Sequence, residues 1–281
     1  MIIRRFLLWV RSATVSERAH GAGALARAYV GARLSPEERR EAEAALLSLL
    51  DDTSSAVRRA LARELGSELD IPRHLVLALA RDQSDVAALV LARSPLLMAS
   101  DLVDCVEAGD ALAQTAVAVR PGLPLAVASA LVSVGAPDAL VALAENQSAA
   151  LPEFLMHRML ERHAKLPALR EALLARPDLP AAVRQRIAVA VAEQLTAFVT
   201  RKRWLGAERA EGVAREAGER ATLAIASTAP DEPSLVALVR LLRAQGRLTP
   251  RLLLRGLLSG HERLFACALA ELAEVPPGRV A

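Results

Sequence analysis

The stretch that decides the fold is Leu140–Ile187, LVALAENQSAALPEFLMHRMLERHAKLPALREALLARPDLPAAVRQRI. Twice in succession, a short apolar helical pattern ends at a polar break and a second helical pattern follows. The first break is Asn-Gln-Ser at 146–148, and the second is Arg-Pro-Asp-Leu-Pro at 176–180. Helices of about two to three turns are marginal by themselves, so such pairs must bury their apolar faces against neighbouring pairs. The stretch therefore predicts stacked helical hairpins.

The same arrangement recurs upstream at a nearly constant spacing. Four polar residues each end a short helical pattern before a Pro or Ser break: Arg93, Arg120, Asn146 and Arg176. Gly66 occupies the equivalent position one repeat earlier. Such a period, about 27 residues, is typical of helical repeats, although it is shorter than the roughly 40 residues of a HEAT repeat. We predict an all-α, right-handed superhelical solenoid of short antiparallel helix pairs, HEAT-like, over residues 1–180.

The composition agrees with a helical protein. The 281 residues are 53% hydrophobic but only 2% aromatic, because Ala, Leu and Val dominate. Ala and Leu are strong helix formers, and Ala lets helices approach closely. Of the 35 basic residues only Lys165 and Lys202 are lysines, but 32 acidic residues are interspersed with them and the net charge is +3. This balance is weak support for nucleic-acid binding.

The pattern changes after Pro180. Residues 181–205 contain no Gly or Pro and carry an apolar side along one long helix, at Val183, Ile187, Val191, Leu195 and Phe198. A second long helix is predicted over 207–227. We interpret residues 181–281 as a C-terminal helical extension continuous with the solenoid. The last residues, PPGRVA at 276–281, resemble the start of another helix, so we expect the chain to be truncated there.

Targeting and redox signals are few. The apolar run Phe6–Val10 is too short for the apolar core of a signal peptide, and charges interrupt every long apolar segment, so no transmembrane helix is predicted. Cys105 and Cys267 lie far apart inside apolar helical patterns, which predicts buried free thiols. We expect a cytoplasmic protein.

Several segments resemble an uncharacterised family of bacterial helical-repeat proteins. They include LVLARSPLL at 89–97, LREALLARPDLPAAVRQRI at 169–187 and LFACALAELAEVPPGRV at 264–280. The most specific marks are Asn146 followed by Ala149, and the Arg176–Pro180 run. The resemblance covers nearly the whole chain, and its fold is similar to HEAT and leucine-rich-variant repeats. It implies an architecture and brings no reaction, cofactor or partner.

Three groups of residues are candidates for partner binding. Arg58 and Arg59 follow an acidic turn on a helix that looks like the inner helix of a HEAT-type repeat. The four repeated polar residues either form a ladder that binds an acidic partner, or each caps the carbonyls that end its own helix. The basic cluster Arg201, Lys202, Arg203 with Trp204 is either a nucleic-acid or membrane-surface patch, or a solvated helix terminus that the helix dipole favours.

No catalytic, metal or cofactor site is predicted. Gly21-Ala22-Gly23 follows no strand, so it does not indicate a phosphate loop. His157 and Glu161 share a helix face, but His163 is turned about 120° away from them, which argues against a metal site. Nucleophile and P-loop motifs are missing from the sequence.

The sequence therefore favours a non-enzymatic scaffold that binds a protein or peptide. Two alternatives stay open. One is nucleic-acid binding through a basic concave surface, resembling HEAT-like DNA-repair glycosylases, and the other is an enzyme whose groups converge only in the fold. The oligomeric state is not predicted.

Overall fold

The computed structural model of the protein describes residues 2–274, with the side chains of residues 2–4 and 7 left aside. Over this range the regular structure is entirely helical, with seventeen helices and no strand. The predicted all-α class is confirmed. The chain divides into two compact units between Leu151 and Pro152.

The first unit contains ten helices. They are α1 (Ile2–Val10), α2 (Val15–Gly31), α3 (Pro36–Leu50), α4 (Ser55–Leu65), α5 (Arg73–Ala80), α6 (Ser84–Leu91), α7 (Ala99–Ala108), α8 (Ala111–Ala118), α9 (Leu125–Val134) and α10 (Pro137–Glu145). The even-numbered helices form one row, in which each packs against the next from α2 to α10. Helices α1, α3 and α5 pack consecutively beside this row, and α7 packs against α9. The even-numbered helices therefore form one continuous layer.

Local sequence explains where these helices begin and end. Ser35 caps α3, since its hydroxyl accepts from the backbone N–H of Glu38 while the Glu38 carboxylate accepts from the N–H of Ser35. Pro36 occupies the first turn, where its missing N–H costs no hydrogen bond. The short helices α4, α6, α8 and α10 each end one or two residues before the position predicted from the period.

Small residues let the helices approach. In α2 the buried face is Gly21, Ala22, Gly23 and Ala26, and this helix packs extensively on α4. A Cβ on Gly21 would lie 2.8 Å from Cζ3 of Trp9, so the absent side chain makes room for the indole. The Gly-x-Gly segment is thus a packing feature inside a helix. Leucines fill the space between the layers, among them Leu46, Leu61, Leu75, Leu91, Leu131 and Leu140, all fully buried.

The second unit contains seven helices. They are α11 (Glu153–His163), α12 (Pro167–Leu174), α13 (Ala181–Arg201), α14 (Ala207–Ser227), α15 (Glu232–Ala244), α16 (Pro250–Leu258) and α17 (Glu262–Ala273). Helices α13 and α14 have 21 residues each, which confirms the predicted longer helices. They pack against each other, and α13 also packs against α11 and α15.

The core of the second unit lies at one end of the two long helices. It joins Leu223 and Ala226 to buried residues of α15, α16 and α17, such as Leu238, Leu252 and Leu264. The buried residues of α13 all lie between Ala181 and Ile187. The remaining two-thirds of α13 is therefore less deeply packed than its beginning.

The division between the units lies earlier than the sequence boundary placed at 180/181, which is where α13 begins. The assignment of HEAT-like repeats to 1–180 stays a prediction. The expected truncation at 276–281 lies outside the described residues.

Candidate functional site

Arg58, predicted to contact a partner, forms an ion pair inside the first unit. Its Nε and Nη2 donate to the two carboxylate oxygens of Asp82, with Nη2 2.9 Å from Oδ1, and its Nη1 donates to the carbonyl of Asp52. Both side chains of the pair are mostly buried, at 15% and 13% exposure. The guanidinium thus joins α4 to the turn before α6. A partner contact by Arg58 stays a prediction.

Arg18 repeats this arrangement one hairpin earlier. It lies on α2, and its Nε and Nη2 donate to Asp52 at 2.7 and 2.9 Å. Arg18 and Arg58 are each the fourth residue of their helix, and each aspartate lies in the turn before the next even-numbered helix. The hydrogen bond from Arg18 is the main cause that lowers the pKa of Asp52. Bidentate pairs of this kind fix the orientation of both groups.

This pairing makes part of the stability depend on pH. Because the pKa of Asp52 is lower in the folded chain than its ordinary value of 3.8, the contribution of the pair is present above that value and is lost as the pH falls through the folded pKa. We expect Arg18→Gln to lower the urea midpoint at neutral pH. The difference in urea midpoint between this variant and wild type should become smaller towards about pH 3, because more of the molecules then carry a protonated Asp52 carboxyl. A difference that is equal at both pH values would contradict this assignment.

Arg59, the neighbouring candidate, is exposed. Its Nη1 lies 3.6 Å from Oδ2 of Asp85, and both side chains are more than one-third exposed. Exposed pairs of this kind contribute little to stability. Arg59 is therefore accessible to a partner, whereas its neighbour Arg58 is not free to turn outwards without breaking its bonds.

Arg120 closes the end of a helix in the preceding hairpin. Its Nη1 donates to the carbonyl of Leu91, the last residue of α6, and its Nη2 donates to the carbonyl of Ser94 at 2.7 Å. Burial lowers the pKa of this guanidinium. The backbone N–H of Arg120 donates to the carbonyl of Val117 in its own helix, α8, whereas its side chain reaches back to α6.

Asn146 does the same one hairpin later. Its Nδ2 donates to the carbonyls of Ala118 and Arg120, at 2.8 and 2.7 Å, beyond the end of α8. Its Oδ1 accepts from the backbone N–H and the hydroxyl of Ser148, whose hydroxyl oxygen in turn accepts from the N–H of Gly122. Gly122 has φ +60°, which suits a residue without a side chain. Asn146 also caps its own helix, α10, because its backbone N–H donates to the carbonyl of Ala142 at 3.1 Å. The Asn-Gln-Ser turn therefore ends one helix and links two hairpins.

The other two members of the predicted ladder are Arg93 and Arg176. Arg93 is exposed. Arg176 is buried, and its Nε and Nη2 both donate to Asp178 at 2.9 Å within the second unit. This pairing lowers the pKa of Asp178. The four residues therefore do not present four equivalent groups to solvent, and their role in binding a partner stays a prediction.

The basic cluster lies at the end of α13, beside an aromatic pair. Phe198 and Trp204 meet edge to face with 5.5 Å between ring centroids. Cζ of Arg201 and Nζ of Lys202 each lie 5.9 Å from the Phe198 centroid. In the part of the chain that the structure describes, no carboxylate forms an ion pair with Arg201, Lys202 or Arg203. Trp204 is 68% exposed, so the cluster combines open cationic and aromatic surface.

An apolar stripe leads along α13 to this cluster. Val191, Leu195 and Phe198 are spaced by four and three residues and therefore lie on one face. They are 43%, 60% and 37% exposed. An apolar groove of about 360 Å³ lies along this face, with Leu174, Ile187 and Ala217 also lining it. We call this surface, from Leu174 to Trp204, the α13 groove.

The sequence pattern identified the stripe but not its exposure. Val183 and Ile187 at the start of the same apolar side are buried, as expected for a helix packed on a core. The apolar side of α13 then continues to Val191, Leu195 and Phe198, which neighbouring helices cover less. The sequence feature that could have indicated this exposure is the length of α13, which exceeds that of the short helices before it.

The remaining candidates of the sequence have structural roles. Nη1 of Arg186 lies 3.2 Å from Nδ1 of His157 and donates to Glu161 at the same distance, so these groups link α11 to α13. Cys105 is half-buried and Cys267 is buried, and burial raises the pKa of both thiols. Within residues 2–274 no group of three His, Cys, Asp or Glu residues is arranged to hold a metal ion.

These observations define an all-α protein in which side chains such as Arg58, Arg120 and Asn146 join one helix to another. Residues 86–281 match the model of a family described as "Uncharacterised protein conserved in bacteria (DUF2336)". The match covers more than half of the chain, which therefore belongs to this family. The resemblance noted in the sequence is confirmed at this level. Comparisons with curated proteins and with solved structures gave no match.

A helix needs both length and apolar character to cross a bilayer, and none of the helices between residues 2 and 274 has both.

Proposed function

We propose that the protein is a non-enzymatic, HEAT-like helical-repeat scaffold that binds an acidic amphipathic helix of a protein partner in the α13 groove. The observation that carries this proposal is the exposed stripe of Val191, Leu195 and Phe198 leading to three cations with no ion pair. The row of helices that pack consecutively from α2 to α10 supports the solenoid architecture. A cytoplasmic location is part of the proposal.

The spacing of the stripe favours a helical partner. Val191 and Phe198 are seven residues apart, about 10 Å along the helix axis, which spans about two turns of a helix lying alongside. Amphipathic helices bind such grooves through residues at i, i+3, i+4 and i+7. Three adjacent apolar side chains that are exposed together favour contact with a partner more than scattered surface leucines do.

The charge at the end of the groove specifies the partner's chemistry. Arg201 and Lys202 lie one turn beyond Phe198, and Arg184 lines the groove with a single side-chain bond, to the Thr228 hydroxyl. Carboxylates on the flanks of a partner helix would pair with these groups. Such complementarity mainly sets partner choice and association rate.

A labelled peptide tests the proposal. The probe is a fluorescein-tagged amphipathic helix with leucines at i, i+3, i+4 and i+7 and glutamates on its flanks, and the comparison peptide has lysines instead. We expect the acidic peptide to bind more tightly in fluorescence anisotropy. We expect Leu195→Asp to weaken its binding at least about tenfold, because a charge replaces a central apolar contact.

Leu258→Asp is the matched control. Leu258 lies on α16, is 87% exposed and does not line the groove, so its replacement should leave the dissociation constant within about twofold. Equal binding of the two peptides, or an unchanged affinity in Leu195→Asp, would contradict the proposal. Tighter binding of labelled duplex DNA, with a steep loss of affinity in salt, would replace it with the nucleic-acid alternative.

A further inference from the structure

A cavity of about 840 Å³ lies beside the α13 groove, and Ala192 of α13 lines both. Its wall includes the small apolar side chains Val189, Ala192 and Ala197 of α13 and Ala214 of α14. The segment between α15 and α16 closes one side with Gly246, Arg247 and Thr249. This volume is within the range of cavities that hold small organic ligands.

The turn before α16 places Arg247 in this cavity. Gly246 has φ +64°, which lets the chain reverse, and the backbone N–H of Arg247 donates to the carbonyl of Leu242 at 2.8 Å. The guanidinium lies against α14 at Gly218, where a Cβ would come within 2.8 Å of its Nη2. The glycine thus provides the space that the guanidinium occupies.

Arg247 is half-buried, and none of the described carboxylates forms an ion pair with it. Within the described part of the chain its side chain forms neither a hydrogen bond nor an ion pair, and the same holds for Arg215, which also lines the cavity. A half-buried guanidinium with five free N–H donors is a strong site for an oxyanion.

The carboxylates that line the cavity do not remove this positive charge. Glu219 is buried and already lies between two arginines, with its Oε2 3.4 Å from Nε of Arg251 and 3.2 Å from Nη1 of Arg255. Glu193 and Glu211 are exposed, so water screens them. Arg247 and Arg215 therefore have no ion pair with these carboxylates, and apolar side chains line the same cavity.

We propose that this cavity binds a small organic anion, in which a phosphate or carboxylate pairs with Arg247 and Arg215 and an apolar ring or chain lies against Val189, Ala192 and Ala214. The cavity adjoins the α13 groove at Ala192, but Arg247 and Arg215 do not line that groove, so this proposal does not depend on the function proposed for the groove.

Two related dyes separate the charged and apolar parts of this site. 1-Anilinonaphthalene-8-sulfonate carries an oxyanion, and N-phenyl-1-naphthylamine has the same rings without it. In fluorescence titrations of the full chain we expect the sulfonate to bind, and Arg247→Gln to weaken it about tenfold while binding of the neutral dye is unchanged. Arg247→Lys should keep part of the affinity because it keeps the charge.

Arg209→Gln is the matched control, since Arg209 is an exposed residue of α14 that has no ion pair and does not line the cavity. If Arg247→Gln lowers the melting temperature, Arg215→Gln provides the same test at an exposed position. Displacement of the dye by octanoate alone assigns a carboxylate, displacement by 1-naphthyl phosphate alone assigns a phosphate, and displacement by both assigns either oxyanion. Three results would overturn the proposal. The first is that neither compound displaces the dye, and the second is that the sulfonate binds equally to wild type, Arg247→Gln and Arg215→Gln. The third is that Arg209→Gln loses as much affinity for the sulfonate as Arg247→Gln.

Discussion

Replacing Arg58 with leucine is expected to lower the free energy of unfolding of the first unit by about 3 kcal/mol. The variant leaves the mostly buried carboxylate of Asp82 without its cation, and it removes the donor to the carbonyl of Asp52. Removing one member of a buried pair costs more than the pair contributes net, because the remaining charge is desolvated and uncompensated.

The measurement is urea denaturation followed by tryptophan fluorescence in a Trp204→Phe background. The chain has two tryptophans, so Trp9, which packs against Gly21 in the first unit, is then the only reporter. Arg59→Leu is the matched control on the same helix, and its exposed pair with Asp85 predicts a change below about 0.5 kcal/mol. Similar losses in the two variants would show that the bonds of Arg58 are not what stabilises this region.

The second large effect is expected from Asn146→Ala, which should destabilise the first unit by about 2 kcal/mol. The variant removes both donors to the carbonyls of Ala118 and Arg120, and it frees the Ser148 hydroxyl that holds Gly122. Partly buried carbonyls that lose their partners carry the full cost of their desolvation.

Gln147→Ala is the control that tests whether any substitution in this turn lowers the stability of the first unit. Gln147 is exposed and lies in the same turn, and we expect its replacement to change the urea midpoint by no more than a few tenths of a molar. The same single-tryptophan background applies. A smaller loss for Asn146→Ala than for Gln147→Ala would rule out the link through the amide.

Much of the fold followed from local signals in the sequence. The capping box of Ser35 and Glu38 marks the start of α3, and the period of polar residues marks the ends of the short helices, because both are set by the chain immediately around them. The partners of Arg58 and Arg120 could not be predicted in the same way. They lie 24 and more positions away, and only the packing of one helix on the next brings them together.

The candidate site shows the same limit. The apolar side of α13 was visible as a pattern, but whether Leu195 is buried depends on where its neighbours end. The cavity around Arg247 was not predicted, because its wall combines α13, α14 and a turn near residue 246. Single charged residues in separate segments give no spacing from which a pocket can be inferred.

The backward reach of Arg120 and Asn146 gives the first unit a direction of assembly. The carbonyls beyond α6 obtain their donor from residue 120, and those beyond α8 from residue 146. During synthesis, each helix end therefore stays hydrated until some 26 to 29 further residues have left the ribosome. A nascent chain that stops before residue 120 or residue 146 therefore leaves the carbonyls at the end of α6 or α8 exposed to water.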